Sequence, residues 1–252
     1  MANATRNFLR EIFKKTAKYR ATWLPTKTLR IGDIGILEGD VFTHRGSLVQ
    51  LGIQMQVRTD VNEAESWDLS SENGIEIKFK AEGQVDAGTP ALGELDAGFH
   101  IDFKKENSFV FKMKGYKTYM IENLMMISEE VLELYAAGEW EKEWVIINEL
   151  VEAQSATILL SSEGGVSVGV KASGNANVGN LDLADGGLEL GSDTSGKLAV
   201  SIVGRPGVTP LYRAVGIKKK WFDLFGEAKF TARDLKAKGE TEHPFEQIGI
   251  DK

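Results

Sequence analysis

The sequence predicts an α+β fold, a twisted and mostly antiparallel sheet with flanking helices, and three observations carry that prediction. Two long stretches, Ile75 to Lys114 and Ala156 to Val203, alternate apolar and polar residues with the period of a half-buried strand. The period changes to that of a helix between Met120 and Ala137, where Met120, Leu124, Ile127, Val131 and Leu134 share one face. A second amphipathic helix opens the chain. Neither alternating stretch is closed by a tight turn, and the apolar face of each is suited to a core or, after rearrangement, to lipid.

Taken in order, Asn3 or Thr5 is placed to cap a helix running to about Tyr19. Arg6, Arg10, Lys14 and Lys18 recur at i+4 and form a basic stripe opposite Phe8, Leu9, Ile12 and Phe13. Such a helix either lies on an anionic membrane or packs on the sheet with its cations in water. Ile31 to Leu37 and Ser47 to Val57 read as strands, and the polar run from Asp60 to Gly74 reads as a loop. The first alternating stretch has three strands. Ile75, Ile77 and Phe79 alternate with charges, then Phe99, Ile101 and Phe103, then Phe109, Phe111 and Met113. After the Met120–Ala137 helix, stopped by Gly138, Trp144 to Ile147 and Thr157 to Leu160 read as two strands joined by an acidic connector. Val166, Val168 and Val170 repeat the strand period. The glycine-rich run from Gly164 to Gly191 implies bends, bulges, a segment that refolds, or a long loop. Lys218 to Lys220 lead into Trp221, Phe222, Leu224 and Phe225, and Glu227 to Lys252 has no strong period.

Composition excludes several classes. The 252 residues contain no cysteine, which removes disulfides, thiol catalysis and cysteine-ligated zinc. No apolar run reaches the roughly 18 residues of a spanning helix, and no signal peptide is expected. Residues 1–20 hold six basic residues against Glu11 alone, a net +5, which leaves −12 on the rest of a chain whose total is −7. A basic segment on an acidic body points to a local anionic partner and away from nucleic acid.

Catalytic motifs are sparse. Gly165-Val166-Ser167-Val168-Gly169 has the G-x-S-x-G spacing, but the strand period runs straight through Ser167 where a nucleophile elbow needs a turn and a helix. His44, His100 and His243 are too far apart for a metal set, and His100 falls on the polar side of its strand. No phosphate loop or dinucleotide fingerprint is present. No cofactor or metal is expected.

Three segments carry a resemblance: Ala4-Thr5-Arg6-Asn7-Phe8-Leu9-Arg10-Glu11, Tyr19 to Pro25 followed by Leu29-Arg30-Ile31, and Trp144 to Ala156. Together with the order of elements over residues 1–220, closing on a strand from Pro210 to Ile217, the chain resembles the pore-forming domain of the gasdermin family, particularly its small bacterial members. It departs from many of those in having no N-terminal cysteine to acylate, and from animal members in having no large inhibitory domain.

The resemblance implies a gasdermin-like domain over 1–220 and a short C-terminal tail over 221–252. The tail's Trp221, Phe222, Leu224 and Phe225 would hold the protein inactive. It implies a cell-death effector that starts in the cytoplasm and moves to the inner face of the cell membrane, where it oligomerises into a β-barrel pore. Its partners would be anionic lipid, further copies of itself and an activating protease. Arg6, Arg10, Lys14 and Lys18 would bind lipid. Ile75, Ile77, Phe79, Phe99, Ile101, Phe103, Val166, Val168 and Val170 would insert, with Lys78, Lys80, Asp102 and Lys104 lining the lumen. The rival expectations are a non-lytic binding or scaffold protein with the same sheet, and an enzyme with an unrecognised carboxylate site.

Overall fold

Helix α1 (Ala2–Lys15) is held by its apolar stripe, with Phe8, Leu9 and Ile12 buried and Phe13 half-buried. It begins too early for Asn3 or Thr5 to cap it. It also ends earlier than expected, because Ala17 and Lys18 take left-handed backbone with φ of 48° and 70°. Lys18 therefore leaves the stripe begun by Arg6, while Lys14 and Lys15 sit in the last turn, where cations oppose the helix dipole. The computed structural model describes residues 2–24, 27–81, 97–172, 181–191, 198–218 and 243–249.

The structure is α+β, with mostly antiparallel strands and two helices among the described residues. The main sheet contains β1 (Arg20–Ala21), β2 (Asp33–Glu38), β3 (Val41–Ser47), β4 (Val57–Ser70), β7 (Ser108–Ile121), β8 (Val145–Ser161), β11 (Val200–Arg205), β12 (Val208–Ile217) and β13 (Phe245–Gln247). A second, four-stranded sheet contains β5 (Ile75–Lys80), β6 (Gly98–Phe103), β9 (Val166–Ala172) and β10 (Leu188–Leu190). Strand β8 is the spine of the main sheet. It pairs with β7 on one side and with β12 and β11 on the other.

Alternation along β7 and β8 sorts the core into layers. Phe109, Phe111, Met113, Ala156, Ile158 and Leu160 point to α1, whereas Val110 and Leu159 point to the second sheet. Helix α2 (Leu124–Ala137) covers the other end through Ile127, Val131 and Leu132, packed with Ile34, Ile146 and Phe245. Gly138 ends it at φ 77°, with Gly138 N–H donating to Tyr135 and Glu139 N–H to Leu134, a left-handed stop that glycine takes without steric cost.

Several expectations need correction. Residues 60–70 are not a loop but most of β4, a 14-residue edge strand whose first part is exposed on both faces. Both faces are polar there, so alternation has nothing to report. Ser47 to Val57 is mostly turn, and the strand β3 lies just before it. The two strands expected between Trp144 and Leu160 are one, β8, because the acidic Glu149 in its middle is buried and paired. Met120 belongs to β7 rather than to α2. The C-terminal stretch includes β13, which pairs with β12. There the buried Arg20 donates to the carbonyls of Ile248 and Gly249 and pairs with Asp40 at 3.2 Å. Trp221, Phe222, Leu224 and Phe225 lie outside the described residues.

Candidate functional site

The second sheet is the main sheet's four-stranded half folded back over itself. Strand β4 runs into β5, β6 into β7, and β8 into β9, each through four residues: 71–74, 104–107 and 162–165. The order β5–β6–β9–β10 repeats β4–β7–β8–β11. Each of the three turns holds one residue in left-handed backbone: Asn73 at φ 53°, Asn107 at 56° and Gly165 at 74°. Hydrogen bonds tie the turns together, from Lys104 N–H to Gly74 and from Gly165 N–H to Phe103.

Two of the three ladders keep their register across the fold. Ser108 faces Ser161 in the main sheet and Phe103 faces Val166 in the second, five residues further along each strand. Leu160 faces Val200 and Val170 faces Leu190, ten residues on along both. The apolar rows keep their parity as well. Odd positions carry Trp67, Leu69, Ile75, Ile77 and Phe79 on one side, and Phe99, Ile101, Phe103, Phe109 and Phe111 on the next. Even positions carry Ala156, Ile158, Leu160, Val166, Val168 and Val170. The rows share parity in the numbering but face different layers, Phe109 and Ile158 toward α1 and Phe103 and Val166 toward Val110 and Leu159.

Phe99, Ile101, Phe103, Val166, Val168 and Val170 are buried together over Val110 and Leu159. Ile75 and Ile77 are half-buried against this cluster. Phe79 is 48% exposed and rests on the Phe99 ring at 5.4 Å.

The opposite face of the second sheet is polar. Glu76 pairs with Lys104 at 2.6 Å and Lys78 at 3.4 Å, and these contacts, Lys104's hydrogen bond first, hold its carboxyl below the usual value. His100 is buried rather than solvated, with Nε2 2.9 Å from Asp102, and Lys80 is buried too. Burial pushes the Asp102 carboxyl up, but the Ser167 hydroxyl, His100 and Lys78 together hold it below the ordinary range. Ser167 lies within β9 and donates to Asp102 at 2.6 Å. The carboxylate thus stands where an acyl-transfer triad needs an imidazole, and no turn or helix makes an elbow. Among the described residues, no group of three His, Cys, Asp or Glu is placed to hold a metal ion.

The basic stripe is only partly assembled. Arg6 and Lys14 are exposed, Lys14 pairs with Glu11 at 3.1 Å, Arg10 is half-buried, and Lys18 lies past the helix end. What the stripe did not reveal is that α1 touches both turns of the first hairpin. Asn7 donates to the Asn107 carbonyl at 2.9 Å, and Lys15 reaches Ser70 and Glu72.

Nor does local pattern reveal the network behind α1. Tyr19 donates to the buried Glu149, which Arg213 also meets at 2.9 Å while donating to Ala17 at 2.8 Å. Burial and the Glu149 contact push the Tyr19 hydroxyl above its usual value. Trp67 stands edge-on to both Tyr19 and Tyr116. A lone tryptophan in a polar run was the one available signal.

Among the described residues, no helix is long and apolar enough to cross a membrane. Compared with known protein families and with curated proteins, the chain matches none.

Proposed function

We propose that this protein is a membrane pore former of gasdermin-like type, in which the folded-back ribbon straightens and joins neighbouring copies in a closed barrel. One observation supports the reading above all. The ladder through β6–β7 and β8–β9, and that through β8–β9 and β10–β11, each hold one register on both sides of the fold, and the apolar residues of the paired strands keep one parity in the numbering on both sides. A sheet that only had to be stable has no need of this match. Straightened, each strand exceeds the roughly 9–11 residues a tilted membrane strand requires. Each copy supplies four strands of alternating direction, so a ring of copies is antiparallel at every seam, and closure satisfies backbone groups that lipid leaves unpaired.

Helix α1 supplies the coupling in this reading. Its contacts to Asn107, Ser70 and Glu72 hold the turns, and a shift of its cations to an anionic surface withdraws those contacts. A non-lytic scaffold is the rival reading, favoured by the complete burial of Ile101, Phe103, Val168 and Val170. Dye release from phosphatidylglycerol vesicles separates the two. The full chain is assayed intact and after cleavage at a protease site placed behind Lys220, a cut that leaves β13 free to stay docked. Release accompanied by cross-linked oligomers supports the pore. Vesicles that stay sealed in both arms sink it.

A further inference from the structure

The first hairpin departs from a single register in one place. Val57 faces Ile121 and Asn62 faces Tyr116, but after a bulge at residues 63–65, Ser66 faces Lys114 and Ser70 faces Val110. Counting on from Asn62 and Tyr116 as if the bulge were absent brings Ile75 opposite Phe103, which is its partner in the second sheet. Counting on from Ser70 and Val110 does not, because residues 71–74 stand against residues 104–109. The two residues that β4 gains at the bulge are matched by two extra residues on the β6–β7 side at the turn.

We propose that the bulge is a register lock, and that residues 66–70 of β4 slip by two positions along β7 before the first hairpin straightens. The proposal rests on the pore-forming reading and adds the step that limits it. Straightening with the bulge in place would leave two residues of 104–109 unpaired in the membrane part of the strand, where unsatisfied backbone is costly. A slip of two keeps every side chain on its own face, whereas a slip of one would invert them all.

Named contacts hold the bulged register. Trp67 packs edge-on to Tyr19 and Tyr116, both at 5.9 Å. The Tyr116 hydroxyl donates to Glu65 within the bulge, and Asp68 pairs with Lys112 at 2.6 Å. Gly115, opposite the bulge, takes φ 55°, and a Cβ there would lie 2.4 Å from the Gln154 side-chain oxygen. The contacts of Trp67, Glu65 and Asp68 change partners in a slip, whereas Gly115 and Gln154 belong to the β7–β8 pairing and keep theirs. Tyr19 follows the end of α1, so movement of that helix reaches Trp67 directly.

A chain without cysteine is well suited to the test. Ser66→Cys with Lys114→Cys joins present partners. Ser66→Cys with Lys112→Cys joins partners of the slipped register, which now stand on a diagonal of about 7–8 Å, at or beyond disulfide reach. Each pair is assayed on phosphatidylglycerol vesicles in the form, intact or cleaved, that releases dye, and each reduced protein serves as its own folding control. The 66/114 pair is expected to oxidise in solution and to cut release at least tenfold until reduced. The 66/112 pair is expected to oxidise only on vesicles. Full release by the oxidised 66/114 protein overturns the lock while leaving the pore reading intact, as does a 66/112 pair that never oxidises on vesicles its reduced form permeabilises. Absence of release by the parent protein in both forms overturns the pore reading, and the lock with it.

Discussion

The side chain of Asn7 in α1 donates a 2.9 Å hydrogen bond to the carbonyl of Asn107, the left-handed residue of the turn between β6 and β7. Eight residues further along the helix, Lys15 reaches Ser70 and Glu72 at the companion turn between β4 and β5. One helix thus spans both turns at which the first hairpin folds back. Its basic face is turned outward at Arg6 and Lys14.

Asn107→Val tests the turn itself. Left-handed backbone costs a residue with a Cβ about 1–2 kcal/mol, a cost asparagine eases with its short polar side chain and a β-branched residue worsens. Valine favours extended backbone, so the variant should lose about 1 kcal/mol of folded-back stability and release vesicle dye faster than the parent. Slower release with unchanged binding would count against straightening at this turn.

The charge of α1 is tested by replacing Arg6, Lys14 and Lys18 with Glu. Each basic residue near an anionic surface contributes about 1 kcal/mol, so the swap should weaken binding to anionic vesicles by at least about 100-fold. These side chains are exposed, and the exposed Lys14–Glu11 pair is worth less than about 1 kcal/mol, so the unfolding midpoint should barely move. Sedimentation with vesicles gives the affinity, and unchanged binding removes the helix from the mechanism.

Within the second sheet, Phe79 and Ile101 share a row but differ in burial, 48% exposed against 0%. Phe79→Lys should therefore fold normally yet lose dye release, because a lysine on the lipid side of a barrel costs about 2–4 kcal/mol near mid-bilayer. Ile101→Lys should fail earlier, losing more than about 4 kcal/mol in urea unfolding. Lys78→Gln, on the polar row, should keep both properties. Equal loss of release at positions 78 and 79 would exclude a barrel in this parity.

Asp102 gives the expected acid response. Its carboxyl is held below the ordinary value in the folded state, so its contribution is fully present above the unfolded pKa of about 3.9 and is lost as pH falls through the folded value. Asp102→Asn should lower stability by about 1 kcal/mol at neutral pH and flatten the fall below about pH 4. Urea midpoints from pH 3 to 7 measure both. An unchanged acid limb would mean that other carboxylates, Glu76 among them, dominate it.

Alternation alone was enough to place β5, β6, β9 and the start of β7, because one face of each meets an apolar layer and the other meets charge. The helical period of 124–137 and its stop at Gly138 were legible for the same reason: local pattern records which side is buried. Strand β4 was not legible, because an edge strand with two wet faces has no apolar period, and only Trp67 and Leu69 hint at it. Glu149 and His100 misled because a charged letter reads as solvent, whereas Tyr19 with Arg213, and Asp102, meet them from segments distant in sequence or across a strand period. Register was decided by tertiary structure alone. Which residue of β4 faces which residue of β7 depends on a bulge pinned by Tyr19, Trp67 and Tyr116, and no local sequence pattern specifies contacts among residues so far apart along the chain.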